Sequence, residues 1–214
     1  KYLNKKAEKD WQLIIRPTQK VYDSFIVIPA KAELKNIPRL LNSISNQSPD
    51  YLKKCLIIVV INSSSDDSQD VIDNNNQTIK YLSENEFNFD LSYVDATLSL
   101  KNAGVGLSRK IGADLALDYC NDSSVICYTD ADVLLSKDYL ETIVNYYSMH
   151  KCGCAIVGFK HQKNNEPIIE KSINAYERFL LKTAKDLKNS GSPYGYTSLG
   201  SCMTCTVSGY IAVG

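Results

Sequence analysis

An α/β domain with a mostly parallel central sheet and helices on both faces is the fold class this sequence predicts, on three observations. Continuous β-branched apolar runs occur at Phe25-Ile26-Val27-Ile28-Pro29 and Leu56-Ile57-Ile58-Val59-Val60-Ile61, the pattern of strands buried on both faces. Segments with helical spacing alternate with these runs, as in βαβ units. A third apolar run, Val125-Ile126-Cys127-Tyr128-Thr129, stops abruptly at Asp130-Ala131-Asp132, as expected of a buried strand with acid at its tip. The chain has 214 residues, 44% of them hydrophobic, which suffices for one sizeable domain.

Taken in order, residues 1–22 read as an N-terminal extension packed on a domain spanning 23–214. Lys1 to Asp10 is charged and fits a frayed helix, while Trp11-Gln12-Leu13-Ile14-Ile15-Arg16-Pro17 fits either a short strand or a segment lying on the outside. After the first strand, Asn36 is the expected N-cap of a helix with Pro38 in its first turn. Ile37, Leu40, Leu41 and Ile44 form its apolar face. The polar stretch Asn62 to Asp70 is a βα loop, and Val71, Ile72 and Ile79 mark a second helix. Leu91-Ser92-Tyr93-Val94 alternates as an outer strand does. Lys101 to Gly106 is a glycine-containing loop leading into a helix that carries Leu107, Ile111, Ala113, Leu115 and Ala116 and is expected under the acid-tipped strand. Leu134 to Tyr147 and Ile168 to Leu187 follow as amphipathic helical stretches. There is no internal repeat and no low-complexity tract.

Composition narrows the function classes. Twenty-four Lys and Arg balance twenty-four Asp and Glu, and no basic stripe stands out, so nucleic acid is not the expected partner. The longest apolar run, Leu56 to Ile61, is far short of the ~20 residues that span a bilayer, and no signal peptide opens the chain. Seven cysteines, an odd number without small-scaffold spacing, fit free thiols in a reducing compartment. The expected location is the cytoplasm, at most against the inner membrane surface. Cys152-x-Cys154 and Cys202-x-x-Cys205 offer four thiolates to a structural zinc. Against this, Cys154 opens the run Cys154-Ala155-Ile156-Val157-Gly158-Phe159, where cysteine acts as a small buried hydrophobe. His150 and His161 sit beside Lys151 and Lys160 and read as surface residues.

The acid pair carries the chemistry. Ligands of open α/β sheets bind outside the carboxyl ends of the strands, so Asp130 and Asp132 face a crevice. Two hard oxygen donors there suit Mn²⁺ or Mg²⁺, which bridges nucleotide phosphates. The same pair also fits a solvated turn, because Asp is favoured wherever a strand ends.

Five segments in order resemble family 2 of the inverting glycosyltransferases. Pro29-Ala30-Lys31-Ala32-Glu33 is similar to the family's Pro-x-x-Asn-Glu, and Asn62-Ser63-Ser64-Ser65-Asp66-Asp67-Ser68 to its Asp-Asp-Gly-Ser-x-Asp loop. Asn102-Ala103-Gly104 with Ser108-Arg109-Lys110-Ile111-Gly112 resembles an Asn-x-Gly and Ala-Arg-Asn-x-Gly pair, and Asp130-Ala131-Asp132 follows. Pro193-Tyr194-Gly195 through Gly200-Ser201 and on to Tyr210-Ile211-Ala212-Val213-Gly214 resembles the loop and strand leading to the acceptor site.

The resemblance implies a GT-A, Rossmann-like three-layer α/β/α sandwich that transfers a sugar from a nucleoside diphosphate sugar, with uridine the expected base. The acceptor, a saccharide, lipid or protein, is not specified. The implied donor site consists of Pro29, Ala30, Glu33, Asn62, Arg109 and Asp130, with Asp132 and Asp130 at the metal. Charge developing on the departing diphosphate is what the metal and Arg109 would offset. Each assignment has a plainer counterpart: a surface salt bridge for Arg109, a helix-preceding turn for Glu33. The sequence departs from the family at Asn62 and Ser63, where Asp is usual, and at Ala32, where Asn is usual. The family's general base lies beyond the segment matching Ile211 to Gly214, so the sequence predicts a form that is incomplete at its C-terminus, binds donor and transfers poorly. Two alternatives stand beside this reading: a non-catalytic nucleotide-binding module, and a sugar nucleotidyltransferase, which would show a basic glycine-rich loop after the first strand.

Overall fold

The computed structural model describes residues 2, 6–98, 104–197 and 199–213. Residues 99–103, with the first half of the expected Lys101 to Gly106 loop, lie outside the described residues, as does Gly214. The three expected apolar runs form β1 (Ser24–Ala30), β2 (Cys55–Ser64) and β4 (Val125–Tyr128), with β3 (Asp90–Leu98) beside β2. Two short strands, β5 (Cys154–Ile156) and β6 (Met203–Thr206), complete a six-stranded sheet in the order β3-β2-β1-β4-β6-β5. β1 to β4 are mutually parallel, and β6 runs antiparallel to both β4 and β5.

Side-chain alternation along β1 and β2 builds two cores, one on each face. On one face Ile26, Ile28, Ile57, Val59 and Ile61 pack against α1 (Ile37–Ser45), α3 (Gln69–Glu84) and α5 (Tyr139–Met149); the four-residue α2 (Pro49–Leu52) connects α1 to β2. On the other, Phe25, Val27, Ile58 and Val60 pack against α4 (Val105–Ala116). This is the three-layer α/β/α sandwich the sequence predicts. Each fully buried aliphatic side chain contributes about 1.5–3 kcal/mol, so β1 and β2 anchor the domain.

Several local expectations are corrected. Asn36 adopts helical φ and ψ and does not cap α1 with its side chain; its amide instead donates to Glu33 Oε2 at 2.7 Å. α3 buries Asn75, Thr78 and Leu82, packs Ile79 partly against the core and leaves Ile72 exposed, because Ile72 lies off the face that Asn75, Thr78, Ile79 and Leu82 turn inward. α4 lies chiefly under β1 and β2, where Gly112 permits close approach: a Cβ there would strike Val27 and come within 3.0 Å of Val60 Cγ2. α5 begins only at Tyr139, residues 133–138 being loop. Cys154 is exposed, since β5 is the sheet edge and its pleat turns that side chain outward. Tyr210 to Val213 belong to α7 (Val207–Val213) and not to a strand. The longest helix, α6 (Pro167–Asn189), buries none of its residues.

The ends of the chain are tied to α4 through Asp114. Its carboxylate accepts from Tyr2 Oη at 2.8 Å, Tyr210 Oη at 2.7 Å, Lys110 Nζ at 2.6 Å and the Glu8 N–H at 2.8 Å. Residues 11–17 form no strand, but the Ile14 N–H donates to Tyr93 O and Ser92 Oγ to Ile15 O, covering the open edge of β3. No helix among the described residues is long and apolar enough to cross a membrane.

Candidate functional site

At the carboxyl ends of β1, β2 and β4 lies a cleft of about 370 Å³. Six of the residues expected at a donor site line it: Pro29, Glu33, Asn62, Arg109, Asp130 and Asp132. Ala30 does not; at the end of β1 its methyl alternates inward and is buried in the core. Lys31, Ser63, Gly104, Val105 and Ala131 complete the lining, none of them expected from sequence as a donor-site residue.

The acid-bearing turn is fixed from within. The Thr129 N–H donates to Val27 O, continuing the pairing of β4 with β1, and the Val133 N–H closes a turn onto Asp130 O at 3.2 Å. Ala131 between the two acids is buried in the core, so its small side chain pins the turn while the carboxylates face the cleft. Gln162 buttresses the turn from outside, donating to Asp132 O at 2.9 Å and accepting from Arg39 at 3.1 Å. Asp130 is ion-paired with Arg109 of α4. The carboxylate of Asp132 is exposed and has no hydrogen-bond or ionic partner among the described residues.

Arg109 is itself positioned from the far side of the cleft. Gly200, in the loop before β6, lies so close to the guanidinium that a Cβ would overlap Nη1 and sit 2.9 Å from Cζ. The Nε of Arg109 is buried without a partner, an unsatisfied donor beside the acid turn. α4 adds its N-terminus: Gly104 offers no side-chain cap, so among the described residues no side chain caps the first-turn N–H groups beside the cleft, which suit an anion.

The opposite lip is built by α3. Asn75, buried, accepts from the Ala32 N–H at 2.8 Å and donates to Asn62 O at 3.0 Å, joining the β1 loop to the end of β2. Asn74 accepts from the Leu34 N–H at 3.1 Å. Ala32 is held at φ 55°, in the left-handed region that Asn enters more readily than Ala; this is the position where the resembled family has Asn. The side chain of Asn62 faces the cleft while only its carbonyl is engaged by Asn75. Lys31 pairs with Asp67 of the β2–α3 loop, and that ammonium, together with the Ser64 N–H, holds the Asp67 carboxyl below the usual carboxylate range.

Among the described residues no three His, Cys, Asp or Glu side chains could hold a metal ion by themselves, and all seven thiols are free. Two carboxylates are an incomplete cation shell, the type that substrate phosphates complete for Mg²⁺. The donor set of Asp132 and Asp130, hard oxygen beside a cationic cleft wall, fits such an ion. Asn75, Gln162 and Gly200 were not legible as site residues, because each acts through a contact distant in sequence.

No curated protein matches the chain. Among solved structures, S. aureus TarS 1-349 in complex with UDP-GlcNAc is 18% identical with a TM-score of 0.46, over 68% of this chain and 37% of that one. Mannosyltransferase PcManGT from Pyrobaculum calidifontis, in complex with GDP-Man and Mn²⁺, is 15% identical with a TM-score of 0.48, over 93% of this chain and 48% of that one. The chain thus spans less than half the length of either structure. The profile of "Glycosyl transferase family 2" matches residues 25–204, a span containing β1 through the start of β6, with both lips of the cleft and the acid turn between them. With that match over most of its length, the chain belongs to glycosyl transferase family 2 and has the GT-A fold.

Proposed function

We propose that the cleft binds a nucleoside diphosphate sugar, with uridine the expected base, and that the protein transfers the sugar with inversion to an acceptor, assisted by Mn²⁺ or Mg²⁺. One observation carries the reading: a sheet-end cleft brings an unpaired Asp132, an Asp130–Arg109 pair and the uncapped N-terminus of α4 around one space. Asn62 and Glu33 border the nucleoside end. The Asn62 amide oxygen accepts from a pyrimidine ring N–H, and Glu33, braced by Asn36, fixes the loop below it. Arg109 and the α4 N–H groups face the diphosphate, where preorganised donors stabilise the charge that grows as the glycosidic bond breaks. Asp132, with Asp130 beside it, would hold the metal; when bound, the ion supplies Lewis acidity to the departing diphosphate. The acceptor hydroxyl must lose a proton in the same step, a task assigned to none of these donor-side groups.

Calorimetry with uridine, guanosine, cytidine and thymidine diphosphates, in Mn²⁺, Mg²⁺ or chelator, tests the proposal. The expected result is metal-dependent binding of one nucleotide, weakened on the order of a hundredfold by Asp132→Ala, since such an ion contributes several kcal/mol. Absence of binding to all four would refute the donor site. Binding without transfer to any acceptor would favour a nucleotide-binding module.

A further inference from the structure

α6 is amphipathic, yet none of its 23 residues is fully buried; Ile173, Leu180 and Ala184 are half-buried and the rest of its apolar side chains are exposed. One face carries Ile168, Ile169, Tyr176, Phe179 and Leu187, with Ile168 81% and Phe179 63% exposed. The other carries Lys171, Arg178, Lys182, Lys185 and Lys188, all exposed. Its acids are fewer and partly committed: Glu177 accepts from His161 at 2.8 Å and Glu170 from the Asn164 N–H at 2.9 Å, while the exposed Asp186 lies about five turns from Ile168, on the apolar side near the C-terminal end of the helix. A chain of zero net charge therefore places five cations on a helix whose exposed apolar side chains include Ile168 and Phe179.

We infer that α6 is a membrane-docking helix, lying in the plane of an anionic phospholipid surface with its apolar face in the acyl boundary. Basic polar face, aromatic and aliphatic opposite face and low overall hydrophobicity are what interfacial helices require. Lys171 and Lys182 sit one turn from Ile168 and Phe179 on the rim, where their stems extend along the buried face and their ammonium groups reach anionic headgroups. Tyr194 and Tyr196, 69% and 49% exposed, lie just past the helix. Gly195 between them packs so tightly on the backbone of Lys188 that a Cβ would sit 2.6 Å from its Cα, holding both tyrosines at the end of α6. Their amphipathic rings suit headgroup depth. Charge complementarity selects the lipid over a second copy of the chain, because an isologous pairing of two α6 helices would bring their lysine rims together.

The helix is braced against the loop that supports the acid turn. His161 contacts Glu177 and the Tyr176 ring, while neighbouring Gln162 donates to Asp132 O. Docking through α6 therefore sets the cleft at the membrane surface.

The test is cosedimentation of the full chain with vesicles of phosphatidylcholine, with and without phosphatidylglycerol, at low and high salt. Expected are binding that needs phosphatidylglycerol and falls with salt, loss of binding in Ile168→Glu with Phe179→Glu, and weakening on the order of tenfold in Lys182→Gln with Lys185→Gln. Both variants change exposed positions, and circular dichroism confirms their fold. No sedimentation with either vesicle overturns the proposal. So does binding that survives the glutamates. A dimer in light scattering that these variants dissociate, without vesicle binding, assigns the face to a second copy and likewise overturns it.

Discussion

The parallel half of the sheet and the β5–α6 flank are both written in apolar sequence, but the molecule uses them in opposite ways. In β1 every residue is buried, and the apolar side chains of both faces find helices to pack on. In α6 none is fully buried, and Ile168, Tyr176, Phe179 and Leu187 stay exposed while Ile173 and Leu180 are only half-covered. Amphipathic periodicity thus establishes that a surface must be covered, without establishing by what. In the parallel half the cover is the chain's own helices, and the functional cleft opens only where strands run out of partners, at Asp130 and Asp132.

The sharpest way to break this comparison is by truncation on each side. Ile28→Ala removes a wholly buried side chain from β1 and is expected to cost about 2–5 kcal/mol in denaturant unfolding. Phe179→Ala on α6 should change stability by less than about 0.5 kcal/mol. Similar losses in both would mean that α6 is packed after all.

A smaller effect separates scaffold from site. Asn75→Ala removes a buried bridge between the β1 loop and the end of β2 at one lip of the cleft, leaving the Ala32 N–H and the Asn62 carbonyl without it. The expected cost is about 1–3 kcal/mol in stability, accompanied by weaker nucleotide binding in calorimetry. Unchanged binding at reduced stability would confine Asn75 to the scaffold.

Gly200→Ala acts on the site with little effect on the core. The added methyl displaces the Arg109 guanidinium from Asp130, so diphosphate affinity should fall about tenfold, or ~1.4 kcal/mol, while the melting temperature barely moves. Undiminished affinity would show that Arg109 does not face the donor.

The smallest effect is in pH. The folded Asp67 carboxyl is lowered first by Lys31, so the contribution of this pair is fully present above the ordinary aspartate value of about 3.9 and is lost only as pH falls below it toward the depressed folded value. The loop clamp should accordingly be constant from neutral pH to about 5. Carbon-detected titration of Asp67 in Lys31→Gln should return its midpoint upward; an unmoved midpoint would remove Lys31 as the cause.

Much of the architecture was legible because its signals are local. β1, β2 and β4 announce themselves as uninterrupted β-branched runs, and α1 by four apolar residues that are all buried. The acid turn was legible because charged residues cannot continue a strand buried on both faces. Elsewhere local signals misled. The apolar residues of α3 drew attention to Val71 and Ile72, whereas its structural task falls to Asn75, a polar side chain used as a bridge. Cys154 read as core because its run is apolar, but β5 is an edge.

By itself the sequence determined which segments become strands and helices, and that two carboxylates stand at a strand tip, because hydrophobic period and chain-terminating charge are properties of neighbouring residues. Tertiary structure alone decided that Arg109 faces Asp130, that Gly200 leaves room for it, that Asn75 ties β1 to β2, and that α6 keeps its apolar face open. Those outcomes depend on which distant segments the crossovers bring together, and no spacing along the chain encodes such a meeting.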